Sequence, residues 1–134
     1  MGLRTKSSNK HPIVLLLRAA WAVALVVVVV ASLLPSTSKP IQALDQLEIN
    51  DKIEHMAAYF ALAFLPAIHE KKKFIVAAAV GAVALGVALE YGQLYLRWRD
   101  FEIGDMIADA AGVAVGIAVG APLRGMMARR LERR

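Results

Sequence analysis

The chain has 134 residues, enough for one domain, and 58% of them are hydrophobic, above the roughly 45–50% apolar usage of soluble domains. It contains no cysteine, which excludes disulfides, thiolate metal sites and cysteine nucleophiles. The formal charge is +5 and the pI about 9.8, a balance that suits either nucleic acid or a membrane until the placement of the charges decides.

Residues 1–12 are short, polar and basic, with Arg4, Lys6 and Lys10. Residues 13–34 are nearly all apolar, broken only by Arg18 and Ser32. That is about the 20 residues that cross a bilayer core of about 30 Å. Arg18 lies near one end, where it can snorkel to the interface. The rival reading is a cleaved signal peptide, but the apolar region is long for one and no A-x-A-like site follows. Residues 36–50 read as a polar linker around Pro40, with room for an amphipathic turn or two over 41–49.

A second span over 51–68 opens with charge and is short, about 27 Å as a helix. Pro66 lies near its far end, where a helix tolerates disruption. Residues 69–73 (HEKKK) form a basic loop, 74–96 a third span, 97–102 a short loop, 103–122 a fourth span and 123–134 a basic tail. With four spans, twelve of the sixteen Lys and Arg fall on the side of the two termini, which carries +10 against −5 on the other. The positive-inside rule then places both termini in the cytoplasm. The expected fold is all-α: a four-transmembrane-helix bundle over 13–122, multi-pass in the inner (plasma) membrane. Topology thus accounts for the basic excess, and no nucleic-acid partner is needed.

Each later span carries one polar stripe. Asp51, His55 and Tyr59 are spaced i, i+4, i+8; Glu90, Gln93 and Arg97 are spaced i, i+3, i+7; Asp105 and Asp109 are spaced i, i+4. All three stripes lie at the outer ends of their helices. His55 lies about 6 Å below Asp51, Glu90 about 9 Å below Leu96 and Asp109 about 9 Å below Ile103. Groups this polar avoid lipid, face the bundle interior and pair with one another, so one outward-open cluster is expected. Arg97 or Arg99 would bond Glu90 or Asp109, because an unpaired buried charge costs several kcal/mol. Gly104, Ala108, Gly112, Gly116 and Gly120 repeat every four residues, as do Ala78, Ala82 and Gly86. Small residues at this spacing let helix backbones approach closely.

Bland readings stand beside these. Asp51 can be an N-cap, Lys52 an interface charge, His55 a structural histidine, Tyr59 a packing aromatic, and Arg97 and Arg99 loop charges that balance Asp100 and Glu102. Tyr95 and Trp98 fit an interfacial aromatic belt. Asp51-x-Ile53-x-His55-x-Ala57 echoes Asp105-x-Ile107-x-Asp109-x-Ala111, though so few matches are within chance. A metal is not expected, since there is one usable histidine and Arg97 or Arg99 would oppose a cation. No cofactor is expected either. Arginine, histidine and acids together suit a phosphate- or sugar-bearing lipid headgroup.

Asp51-Lys52-x-x-His55-x-x-x-Tyr59-Phe60-x-Leu62 resembles the first signature of the VanZ-like family of small integral membrane proteins. The second signature is similar too: Glu90-x-x-Gln93, then Arg99, then Asp105, then Asp109-x-x-Gly112-x-x-x-Gly116. The family commonly has Asn where this chain has Asp109. The resemblance covers about 51–120 and implies a membrane protein of the cell envelope, with a link to glycopeptide (teicoplanin) susceptibility. Together these features lead to a binding role for Asp51, Lys52, His55, Tyr59, Glu90, Gln93, Arg99, Asp105 and Asp109 toward a lipid or cell-wall-precursor headgroup. One alternative is a membrane-embedded enzyme with Glu90 and His55 as acid and base. Another is a small transporter or proton-coupled subunit that forms a homo-oligomer through its glycine ladder.

Overall fold

The computed structural model describes residues 11–47 and 49–133, the side chain of residue 131 excepted. It is all-α, with no strand among the described residues. The helices are α1 (Pro12–Leu33), α2 (Lys39–Asp45), α3 (Asp51–His69), α4 (Lys72–Leu96) and α5 (Ile103–Glu132).

Local chemistry sets the boundaries. α1 starts on Pro12, whose missing N–H costs nothing in a first turn. It stops ahead of Pro35, which disfavours helical geometry in the residue before it. Asn50, not Asp51, caps α3: its side chain accepts from the Lys52 N–H at 2.9 Å. Asp51 is instead the first helical residue, where its charge still suits the positive end of the helix dipole. α4 ends at Arg97, held in the left-handed region at φ 57°, ψ 30°. α5 runs past Pro122 to Glu132, so the helix expected to end at residue 122 continues through most of the basic tail. Pro122 removes one backbone bond, but the good helix formers after it (Leu123, Met126, Met127, Ala128) let the helix resume.

α3 sits at the centre. It packs most extensively on α5 and also touches α1 and α4. The glycine ladder explains the first of these contacts. A Cβ on Gly112 would strike the Met56 carbonyl oxygen, one on Gly116 would lie 2.6 Å from the Phe60 oxygen, and one on Gly120 would lie 2.7 Å from Ala67 Cβ. The rungs advance together along both chains, so α3 and α5 run parallel, with backbone nearly against backbone. Tyr59, Leu62 and Ala63 of α3 meet Ala82 of α4 and Val113 of α5 in the core. Trp21 of α1 closes it and donates to the Leu62 carbonyl at 2.9 Å.

The exterior is apolar and part of the interior is charged. Leu16, Val23 and Val26 of α1, Val80 of α4, and Ile107 and Val115 of α5 are exposed, while Glu90, Gln93, Asp105 and Asp109 are buried. That inversion suits an apolar solvent better than water. α1, α4 and residues 103–130 are each long and apolar enough to cross a membrane. α3, expected as the second span, is not among these three. Asp51, Lys52, Glu54 and His55 dilute its apolar content, and its three partners cover much of it beyond Ala57.

Candidate functional site

At the end of the bundle where α3 and α5 begin and α4 ends, the three polar stripes converge. The parallel register of α3 and α5 brings His55 against both aspartates of α5. His55 Nδ1 lies 2.8 Å from Asp109 Oδ1. His55 Nε2 lies 3.5 Å from Asp105 Oδ2. The Lys52 ammonium donates to Asp105 and to Glu102. Gly104 makes room for this, since a Cβ there would lie 3.0 Å from Lys52 Cε. Arg99 donates to Asp51 at 2.9 Å and so ties the α4–α5 loop to the start of α3.

Glu90 and Asp109 form the floor, each only 2% exposed. Glu90 accepts the Glu102 backbone N–H at 3.2 Å, which satisfies a donor at the start of α5. The expected bond from Arg97 or Arg99 to Glu90 or Asp109 is not made. Arg99 is held by Asp51, and Arg97 is exposed at the left-handed turn. Among the described residues, neither Glu90 nor Asp109 has a lysine or arginine partner. Gly86 lets this floor close: a Cβ there would lie 2.6 Å from Asp109 Oδ2 and 3.3 Å from the Tyr59 hydroxyl.

Two expected members sit apart from the cluster proper. Gln93 is buried but donates to the Ser32 carbonyl of α1 at 2.8 Å, so it fastens α1 to α4. Tyr59 is 2% exposed and belongs to the core beneath the site. Conversely, Glu102 has a larger part than a loop charge. The signal was available: it directly precedes the fourth span and so lies level with Lys52 at the start of the second.

Asp51, His55 and Asp105 offer ligand atoms within 4.8 Å of one another, a spacing that would suit a metal ion. The Lys52 ammonium already lies among these groups. It bonds Asp105 and stands 3.9 Å from Asp51 Oδ2. A metal would have to displace that cation and the Arg99 contact to Asp51. The cluster therefore carries five carboxylates (Asp51, Glu90, Glu102, Asp105, Asp109) against two permanent cations, both already engaged by acids. Such a set accepts hydrogen bonds and draws positive charge.

No family model, curated protein or solved structure matches this chain.

Proposed function

We propose that the chain is a VanZ-like protein of the inner membrane that binds the headgroup of a lipid or cell-wall precursor at its outer polar cluster. In this reading α3 is the fourth span. It crosses the bilayer because α1, α4 and α5 shield it, and both termini are cytoplasmic. The observation that carries the proposal is the pair of buried carboxylates, Glu90 and Asp109, with no lysine or arginine partner among the described residues, beneath the solvent-accessible carboxylates of Asp51 and Glu102. Intramembrane carboxylates of this kind are costly and mark functional sites.

The engagement of Lys52 and Arg99 sharpens the ligand class. Neither cation is left to grip a phosphate, whereas the carboxylates can accept from sugar hydroxyls and from amines. Both groups occur on cell-wall precursors, and capture of such a headgroup would alter susceptibility to teicoplanin, which acts at the envelope. The acid/base assignment to Glu90 and His55 is disfavoured, because His55 faces Asp105 and Asp109 while Glu90 faces a backbone N–H.

The test is binding of a lipid-linked, amine-bearing cell-wall precursor to the purified protein. Glu90→Gln and Arg99→Ala are expected to weaken it at least tenfold. Unchanged binding by both variants sinks the proposal. Turnover of the precursor, lost in His55→Gln while binding persists, would move the conclusion to an enzyme. Ion or precursor flux in proteoliposomes would move it to a transporter.

A further inference from the structure

The opposite end of the bundle has a site of its own. There α1 and α4 begin and α3 and α5 end, around a cavity of about 940 Å³. That is at the upper end of the roughly 300–1,000 Å³ typical of small-molecule sites. Arg18, His69, Glu70, Lys71, Arg124 and Glu132 line its polar part, and Trp21 and Phe74 line its apolar part. A second cavity of about 900 Å³ shares His11, Ile68 and Met127 with the first. Its walls are mostly apolar, formed by Leu16, Phe64, Leu123 and Met126, with Arg130 at the edge. Side by side they make an amphipathic recess, one half polar with a small excess of bases over acids and the other oily.

His69 is the second, independent sign of a ligand. Its side chain is only 2% exposed. Nδ1 lies 2.6 Å from the Leu65 carbonyl, an acceptor, so Nδ1 carries a hydrogen and donates. Nε2 is buried without a hydrogen-bond partner. Glu70 Oε1 lies 3.2 Å from it and attracts it only when the imidazole is protonated; on the neutral ring Nε2 is a lone pair that calls for a donor. A polar atom buried in this way is expensive unless something meets it. Around it, Arg124 uses only Nη1, on the Glu70 carbonyl at 3.4 Å, and guanidinium has five N–H donors. Lys71 is exposed and has no ion-pair partner among the described residues.

We propose that this recess binds an anionic phospholipid from the leaflet on the side of the chain ends. The phosphate sits between Lys71 and Arg124, a headgroup hydroxyl donates to His69 Nε2, and an acyl chain lies along Leu16, Phe64, Leu123 and Met126. Basic pockets between membrane helices on the cytoplasmic side are suited to anionic headgroups. The site is remote from the acidic cluster and does not depend on the function proposed for it.

The test uses the purified full chain in detergent. Phosphatidylglycerol, phosphatidylcholine with the same acyl chains, and inorganic phosphate are compared by native mass spectrometry. A brominated acyl chain that quenches Trp21 gives the location, in a Trp98→Phe background. Phosphatidylglycerol is expected to bind at least tenfold more tightly than phosphatidylcholine. Lys71→Gln should weaken it several-fold without loss of fold, since Lys71 is exposed, and Lys71→Arg should retain it. Arg124→Gln added to Lys71→Gln should remove most of the preference, whereas Glu90→Gln should leave it intact. Equal binding of the two lipids, or no effect of Lys71→Gln and the double variant, overturns the proposal. Phosphate alone binding as tightly as the lipid also overturns it, because the apolar half would then be idle.

Discussion

His55 Nδ1 and Asp109 Oδ1 stand 2.8 Å apart across the interface of two parallel helices. Asp109 is buried and His55 largely so, and loss of one leaves the other short of a partner with little water to turn to. Polar contacts between membrane helices couple by about 0.6 kcal/mol on average and up to about 1.7. A double-mutant cycle of His55→Ala and Asp109→Ala, read by unfolding in detergent, should give a coupling at the upper end of that range. Asp109→Asn should be milder than Asp109→Ala, because the amide still reaches His55.

The glycine ladder gives a positional contrast. Gly112→Ala and Gly116→Ala push a methyl into the α3 backbone and should destabilise by about 1–3 kcal/mol, since neither backbone can step aside alone. Gly81→Ala and Gly125→Ala meet nothing within 4 Å. Both should be neutral, or stabilising by up to about 1 kcal/mol, because alanine is the better helix former. Thermal midpoints of the four variants check the ranking.

Arg97 carries a left-handed backbone at φ 57° without being glycine. That conformation costs a side-chain-bearing residue roughly 1–2 kcal/mol. Arg97→Gly should therefore stabilise the α4–α5 turn by up to about 1 kcal/mol after glycine's own entropy cost. Arg97→Val should destabilise it. Chemical unfolding of both variants measures the difference.

The Arg18–Glu70 pair predicts a pH dependence at the other end. Arg18 Nε donates to Glu70 Oε1 at 2.7 Å, and this bond holds the Glu70 carboxyl below its ordinary value of 4.5. The folded state therefore releases this proton more readily than the unfolded chain does. The resulting stability is complete above about pH 4.5 and is lost as pH falls through the depressed folded value. Thermal midpoints of the native chain and Glu70→Gln should differ most above pH 5 and converge as acid protonates Glu70.

Much of the arrangement was legible in the residues. The stripes of Asp51 and His55, Glu90, and Asp105 and Asp109 do meet, because 3.6-residue periodicity fixes which side chains share a face. The ladder from Gly112 to Gly120 marks a close helix contact for the same reason. What sequence could not give was partner choice among long or amide side chains. Arg99 reaches Asp51 because the left-handed Arg97 turns the loop that way, and no local pattern encodes that. Gln93 finds a carbonyl on α1, some sixty residues earlier, through tertiary packing alone. Asn50 outranks Asp51 as the cap because its backbone is the last extended residue, a boundary that two adjacent capping types leave open. The recess escaped notice because Arg18, His69 and Arg124 come from three helices, Lys71 comes from the α3–α4 connection, and the four share no spacing.

The parallel pairing of α3 with α5 also constrains the order in which the chain can be built. α3 is too polar at its start to settle in a bilayer by itself, and the backbone surface that receives it belongs to a helix made some fifty residues later. If α3 is a span, as proposed above, it must therefore wait at the membrane surface or beside the insertion machinery until α5 emerges during synthesis. Integration of the second half then completes the first, and a chain that ends before α5 has a helix with nowhere to go.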